Sequence, residues 1–183
     1  MHCLQRLLGM PVGPTPAVLA YSLLYPYTDN HLDDPAVELS AKRAFIRRLG
    51  DRLAGSALEP AAPLERQVFR LVELIECQFA RERQPQVYEA LLAIHAAQLR
   101  SVTLLQRPAP DDVVEISVEK GGTSVLADGY LVAGTLNAAQ AECVFGLGVF
   151  LQLRDDLEDL VEDRRSKQAT VFSSLPPRAL LDR

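Results

Sequence analysis

Residues 143–163 read Cys-Val-Phe-Gly-Leu-Gly-Val-Phe-Leu-Gln-Leu-Arg-Asp-Asp-Leu-Glu-Asp-Leu-Val-Glu-Asp. Its first half, Cys143 to Leu153, is uncharged, and its second half sets Asp155, Asp159 and Asp163 at i, i+4 and i+8. At 3.6 residues per turn that spacing makes a carboxylate stripe along one helical face. Leu153, Leu157 and Leu160 fall on neighbouring positions, so the stripe ends an apolar helix rather than a uniformly wet one. Asn137 suits an N-cap, and the spacing predicts a helix over roughly 138–165.

The same periodicity recurs upstream. Residues 37–55 put Val37, Ala41, Ala44, Phe45 and Leu49 on one face, and Gly55 is the expected stop. Residues 64–83 repeat the pattern with Val68, Leu71, Val72, Ile75 and Phe79. Pro85 suits the first turn of a third helix, carrying Val87, Leu91, Ile94 and Leu99 and ending before the loop at 107–112. A helix over 112–134 contains Gly121, Gly122, Gly129 and Gly134, each costing about 1 kcal/mol relative to alanine. A helix that tolerates this is kinked, or packs closely on another backbone or a ligand. Nothing alternates with period two for long enough to be a strand. The expectation is an all-α chain, an antiparallel helix bundle in one domain over 1–183. Within it, 1–13 is expected irregular, and 172–183 looks like a helix start cut short.

Composition narrows the function classes. Of 183 residues, 48% are apolar and 23% charged, which excludes a disordered tail, a collagen-like rod and a disulfide-stapled miniprotein. Nineteen basic residues against 24 acidic ones give a net charge of −5, so nucleic acid is not an expected partner. Cys3, Cys77 and Cys143 lie in neither paired nor metal-type spacing and read as reduced thiols of a cytoplasmic protein. Pro11, Pro14 and Pro16 interrupt the one run that mimics a secretory signal. No stretch reaches the ~20 apolar residues of a membrane span.

A second acidic run lies near the other end of the chain. In Tyr25-Pro-Tyr-Thr-Asp29-Asn-His-Leu-Asp33-Asp34, a helix would stack Asp29 above Asp33. Carboxylates crowded beside apolar surface have raised pKa values unless a cation compensates them. Mg²⁺ is the natural cation, because it takes oxygen ligands and keeps positions open for water or a phosphate. One acidic run is usually solvated surface. Two runs sharing a D-x-x-x-D core, each joined to an apolar helix, point instead to metal ions holding a diphosphate between them.

Gly148 to Asp159 resembles the second aspartate-rich motif of the class I isoprenoid synthases, the trans-prenyltransferase and terpene-synthase superfamily. Asp29 to Asp34 is similar to their first motif, written D-x-x-x-D-D. Glu119-Lys120-Gly-Gly-Thr123-Ser124 is similar to the Lys-Thr element that grips diphosphate, and Arg164-Arg-Ser-Lys167 to the basic segment after the second motif. The order and spacing agree over residues 17–175. The resemblance implies that Asp29, Asp33 and Asp34 bind Mg²⁺ from one wall, and Asp155, Asp156, Asp159 and Asp163 from the other. Catalysis would rest on Asp29, Asp33, Asp155 and Asp159. Lys120, Lys167, Tyr25 and Gln152 would bind substrate. The implied fold is the isoprenoid synthase bundle, short of helices at both ends, which leaves room for a homodimer.

The implied reaction is metal-assisted departure of diphosphate from an allylic prenyl diphosphate, leaving a carbocation in an apolar pocket. Prenyl transfer, cyclisation and head-to-head condensation all stay open. Only Arg6 precedes Asp29, where elongating enzymes carry a basic patch. Tyr21 and Tyr25 read equally as pocket lining or as ordinary core. His31 reads as exposed and incidental, and His95 as a core or cavity-wall residue. The alternative function is a catalytically incompetent helical module that binds prenyl diphosphate or pairs with an active subunit.

Overall fold

Apolar residues three and four apart in the sequence lie on helices throughout the described part of the chain. The computed structural model describes residues 1–101, 110–166 and 169–173, apart from the side chains at 33, 101, 110 and 111. Among these residues every regular element is an α-helix. They are α1 (His2–Leu7), α2 (Pro16–Asp33), α3 (Leu39–Leu53), α4 (Pro63–Gln78), α5 (Pro85–Ser101), α6 (Pro110–Ala133), α7 (Ala138–Glu158) and α8 (Leu160–Ser166). The chain is all-α. It divides into two compact units: Met1–Leu92 with Asp128–Leu136, and Ala93–Ala127 with Asn137–Arg183.

In the first unit α2 and α3 both pack on α4. Leu24 of α2, Phe45 and Leu49 of α3, and Val68, Val72 and Ile75 of α4 are buried together in its core. Each such side chain contributes roughly 1.5–3 kcal/mol by leaving water. Thr15 caps α2 by accepting the Val18 amide at 3.3 Å, and Pro16 opens the helix where no amide is needed. The helix continues through Pro26 to Asp33. Gly55, at φ +99°, ends α3 as expected, and the Arg81 guanidinium donates to the carbonyl of Leu53 at 2.7 Å. The first 13 residues, expected irregular, include α1. The buried Gln5 side chain then ties down the loop, donating to the Gly13 carbonyl at 2.8 Å and accepting the Gly13 amide at 3.2 Å.

In the second unit the glycines of α6 explain themselves. A Cβ on Gly148 would stand 2.2 Å from the Gly121 carbonyl oxygen, and one on Gly122 would stand 2.3 Å from the Phe145 ring. The backbones of α6 and α7 therefore touch, the close-approach reason for glycine inside a helix. Asn137 caps α7 in a capping box with Gln140, each accepting the other's amide. The long helix expected over 138–165 is interrupted at Asp159, where α7 ends and α8 begins one residue later. Of the segment 172–183, all but the first two residues lie outside the described residues.

Candidate functional site

The interruption at Asp159 divides the second acidic run. Asp155 and Asp159 are exposed, whereas Asp156 and Asp163, seven residues apart, are turned inward and buried. The i, i+4, i+8 stripe is thus not one face: Asp163 belongs with Asp156, not with Asp155 and Asp159. Asp156 accepts from the Gln152 amide nitrogen at 2.8 Å and lies 3.5 Å from the Val171 backbone amide. Asp163 accepts from the Thr170 hydroxyl at 3.1 Å. Buried carboxylates are stable when hydrogen-bonded, and here the partners come from one turn back on α7 and from residues 170–171. Burial raises the pKa of Asp156, as does the neighbouring Asp163, while Gln152, the Val171 amide and Lys120 oppose the rise.

Lys120 reaches this pair from α6, since Gly121 packs against Gly148 and Gln152. Lys120, Gln152, Asp156 and Asp163 are therefore neighbours. Thr123, from the same element as Lys120, turns its hydroxyl onto the Glu119 carbonyl at 2.7 Å. Arg100, given no role from sequence, joins α5 to α6 by ion pairs to Glu115, at 2.7 Å, and Glu119. Lys167 lies outside the described residues.

The first acidic run belongs to the first unit. Asp29 is exposed on α2, Asp33 is the helix's last residue, with its side chain outside the described residues, and Asp34 follows it. Asp34 accepts the Ala36 amide at 2.8 Å and so shapes the turn after α2. One turn before Asp29, the Tyr25 and Tyr21 rings meet edge to face, with centroids 4.8 Å apart. Burial pushes the Tyr25 hydroxyl well above its ordinary pKa against a polar contact from Tyr21, and the Asp29 and Asp128 carboxylates push the same way. His31, expected exposed, is instead half-buried with its ring edge against Phe45, centroids 4.8 Å apart. His95 is buried, as a core residue would be.

Asp128 is the residue that sequence reasoning missed. Burial raises its pKa to about 6, with the Met1 amino group pulling down, and it makes neither hydrogen bond nor ion pair among the described residues. Its signal was a single acid inside the apolar run Val125 to Val132.

Every one of the acidic-run candidates is an oxygen donor, which suits Mg²⁺. Among the described residues, no three His, Cys, Asp or Glu side chains lie close enough together to hold a metal ion. A surface cleft of about 500 Å³ is lined by Arg52, Leu58–Pro60 and residues of α4 from Arg66 to Glu73, and shares no residue with either acidic run. No helix among the described residues is long and apolar enough to cross a membrane. Comparison with protein-family models, with curated proteins and with solved structures finds no match to this chain.

Proposed function

We propose that this chain is a Mg²⁺-dependent class I isoprenoid synthase, a transferase or lyase that ionises an allylic prenyl diphosphate. One observation carries the reading beyond the motifs themselves. Lys120 acts on the Asp156 carboxylate because glycines bring α6 against α7, so the diphosphate-gripping element and the second acidic run are neighbours as the resemblance requires. Within the second unit, the exposed carboxylates Asp155 and Asp159 are the donors that would hold magnesium, and Asp29, Asp33 and Asp34 are the oxygen donors of the first unit. When bound, the metal would supply Lewis-acid stabilisation to a departing diphosphate. Lys120 supplies a compact positive charge for diphosphate oxygens. Gln152, tied to Asp156 at 2.8 Å, presents a fixed amide beside it. The Tyr21–Tyr25 ring pair lies on α2 one and two turns before Asp29, with Tyr21 buried.

A second reading, a helical module that binds the diphosphate without turning it over, is favoured by a different observation. Asp156 and Asp163 are already engaged by Gln152, Val171 and Thr170, rather than open to a metal. Both readings require binding. At about one hundred times Kd, Mg²⁺ with inorganic diphosphate should raise the melting temperature by roughly 5–10 °C through linkage. Asp155→Ala and Lys120→Ala should each reduce that rise. A melting temperature indifferent to Mg²⁺ and diphosphate together would end both readings.

A further inference from the structure

Within the first unit, the segment that joins α3 to α4, residues 54–62, is held in place by charged side chains. Arg48 of α3 donates to both carboxylate oxygens of Glu65, at 2.8 and 3.0 Å, and to the Glu59 carbonyl. Glu65, itself buried, accepts the Ala61 amide at 2.6 Å. Pro60 and Pro63 fix two more backbone angles beside it. Further along α3, Arg52 is locked onto both oxygens of Glu76 in α4. The cleft of about 500 Å³ is lined by Leu58–Pro60 of this segment, by Arg52 and by α4, so its walls are set before any ligand arrives. A cleft of that volume can take a small organic molecule, and a preformed one binds without the entropic cost of ordering a loop.

Leu58, Pro60 and Phe69 give the cleft apolar surface, while five of its residues are charged. Arg52 is engaged by Glu76, and Arg70 pairs with Glu73 at 2.9 Å. The Arg66 guanidinium and the Glu59 carboxylate are different. Among the described residues, neither makes a hydrogen bond or ion pair, with the other or with any third group. A ligand that is only an anion would meet Glu59 and Glu73, and one that is only a cation would meet the arginines. A molecule that carries both charges around an apolar body suits the whole lining. We propose that this cleft binds a short apolar peptide with free termini. Its carboxylate would lie on Arg66, whose planar fork matches that group, and its ammonium on Glu59. The termini of a dipeptide stand at most about 7 Å apart, which suits two charges that do not reach each other. The cleft shares no residue with either acidic run, so the inference stands apart from the proposed synthase activity.

The test titrates L-leucyl-L-phenylalanine calorimetrically into the full chain, beside its N-acetyl and C-terminal amide forms, each of which lacks one charge. The free dipeptide should bind about fivefold more tightly than either blocked form. Arg66→Ala should weaken the free dipeptide by about fivefold and leave the amide, which has no carboxylate, unchanged. Glu59→Gln should weaken it likewise and leave the N-acetyl form, which has no ammonium, unchanged. Both side chains are exposed, so the variants should melt as the wild type does. The comparison of free and blocked dipeptides on the wild type needs no variant at all. Equal affinity for the three peptides, no binding at millimolar peptide, or affinity indifferent to both substitutions would overturn the site. Preference for the N-acetyl form, strengthened by Glu59→Gln, would also overturn it, by showing a site for plain anions.

Discussion

Asp128 and the arginine-bound glutamates act on stability from opposite ends of the pH scale. A carboxyl whose pKa rises on folding from 3.8 to about 6 stabilises the fold fully below its unfolded value, and that contribution is lost as pH climbs through 6. Asp128→Asn should therefore be more stable than wild type at about pH 7.5, by of order 1–3 kcal/mol, and indistinguishable from it at about pH 3, below the unfolded value. Urea melts at the two pH values check this, and an equal difference at both would contradict the burial of the carboxyl. Glu65 and Glu76 carry the opposite sign. Burial alone would raise them, but Arg48 holds Glu65 in a two-point fork at 2.8 and 3.0 Å, and Arg52 and Arg81 hold Glu76, so both pKa values are lowered. Their stabilisation is present above the ordinary 4.5 and is lost as pH falls below it. In Glu76→Gln the acid-side fall in melting temperature should be shallower than in wild type. None of this was legible in the sequence. Arg48–Glu65 and Arg52–Glu76 span 17 and 24 positions and join α3 to α4, while Arg81 reaches back to Glu76 from beyond the end of α4, whereas spacing along a chain reveals only neighbours on one helix.

At the scale of the element, glycine placement makes the sharpest prediction. Gly148→Ala would drive a methyl into the Gly121 carbonyl, and backbone cannot step aside as a side-chain tip can. It should cost about 1–3 kcal/mol despite the better helix propensity of alanine. Gly146 faces open space, so Gly146→Ala should stabilise α7 by roughly 0.5–1 kcal/mol. Thermal melts of the two variants should move in opposite directions, and a shift of the same sign would refute the α6–α7 contact. Sequence reasoning offered a kink or a close approach for this glycine-rich helix, and Gly121 and Gly122 show the close approach, whereas Gly134, expected inside the helix, lies just past α6 at φ +75°. It named the Asn137 cap for a local reason. It misjudged α3, where Ala41 and Ala44 were assigned to the inner face but are exposed, and Phe45, Leu49 and Leu53 are buried. Small apolar residues fit either side of a helix, and only the neighbour decides. The interruption at Asp159 was invisible for a comparable reason, since Leu-Glu-Asp-Leu carries no proline or glycine to mark it.

Across the whole molecule, the helical class followed from periodicity alone, while the division into two units left no mark on composition or length. The helices α5 and α6 each contribute residues to both units, so among the described residues the boundaries fall inside helices, where a sequence reading finds no linker. The two acidic runs are distributed likewise, Asp29 to Asp34 in the first unit and Asp155 to Asp163 in the second. Residue types made the candidate carboxylates legible. Which of them face solvent depends on helix rotation and on the hydrogen bonds from Thr170, Val171 and Gln152, which spacing does not encode. The proposed activity depends, within the second unit, on Asp155 and Asp159 acting with Lys120. The measurement that tests it most directly is diphosphate release from geranyl, farnesyl and geranylgeranyl diphosphates, with and without Mg²⁺ and isopentenyl diphosphate, beside an Asp155→Ala control. The synthase account predicts Mg²⁺-dependent release that the control loses, with an organic extract whose products identify transfer, cyclisation or condensation. A folded protein that releases no diphosphate from any of the three would contradict it.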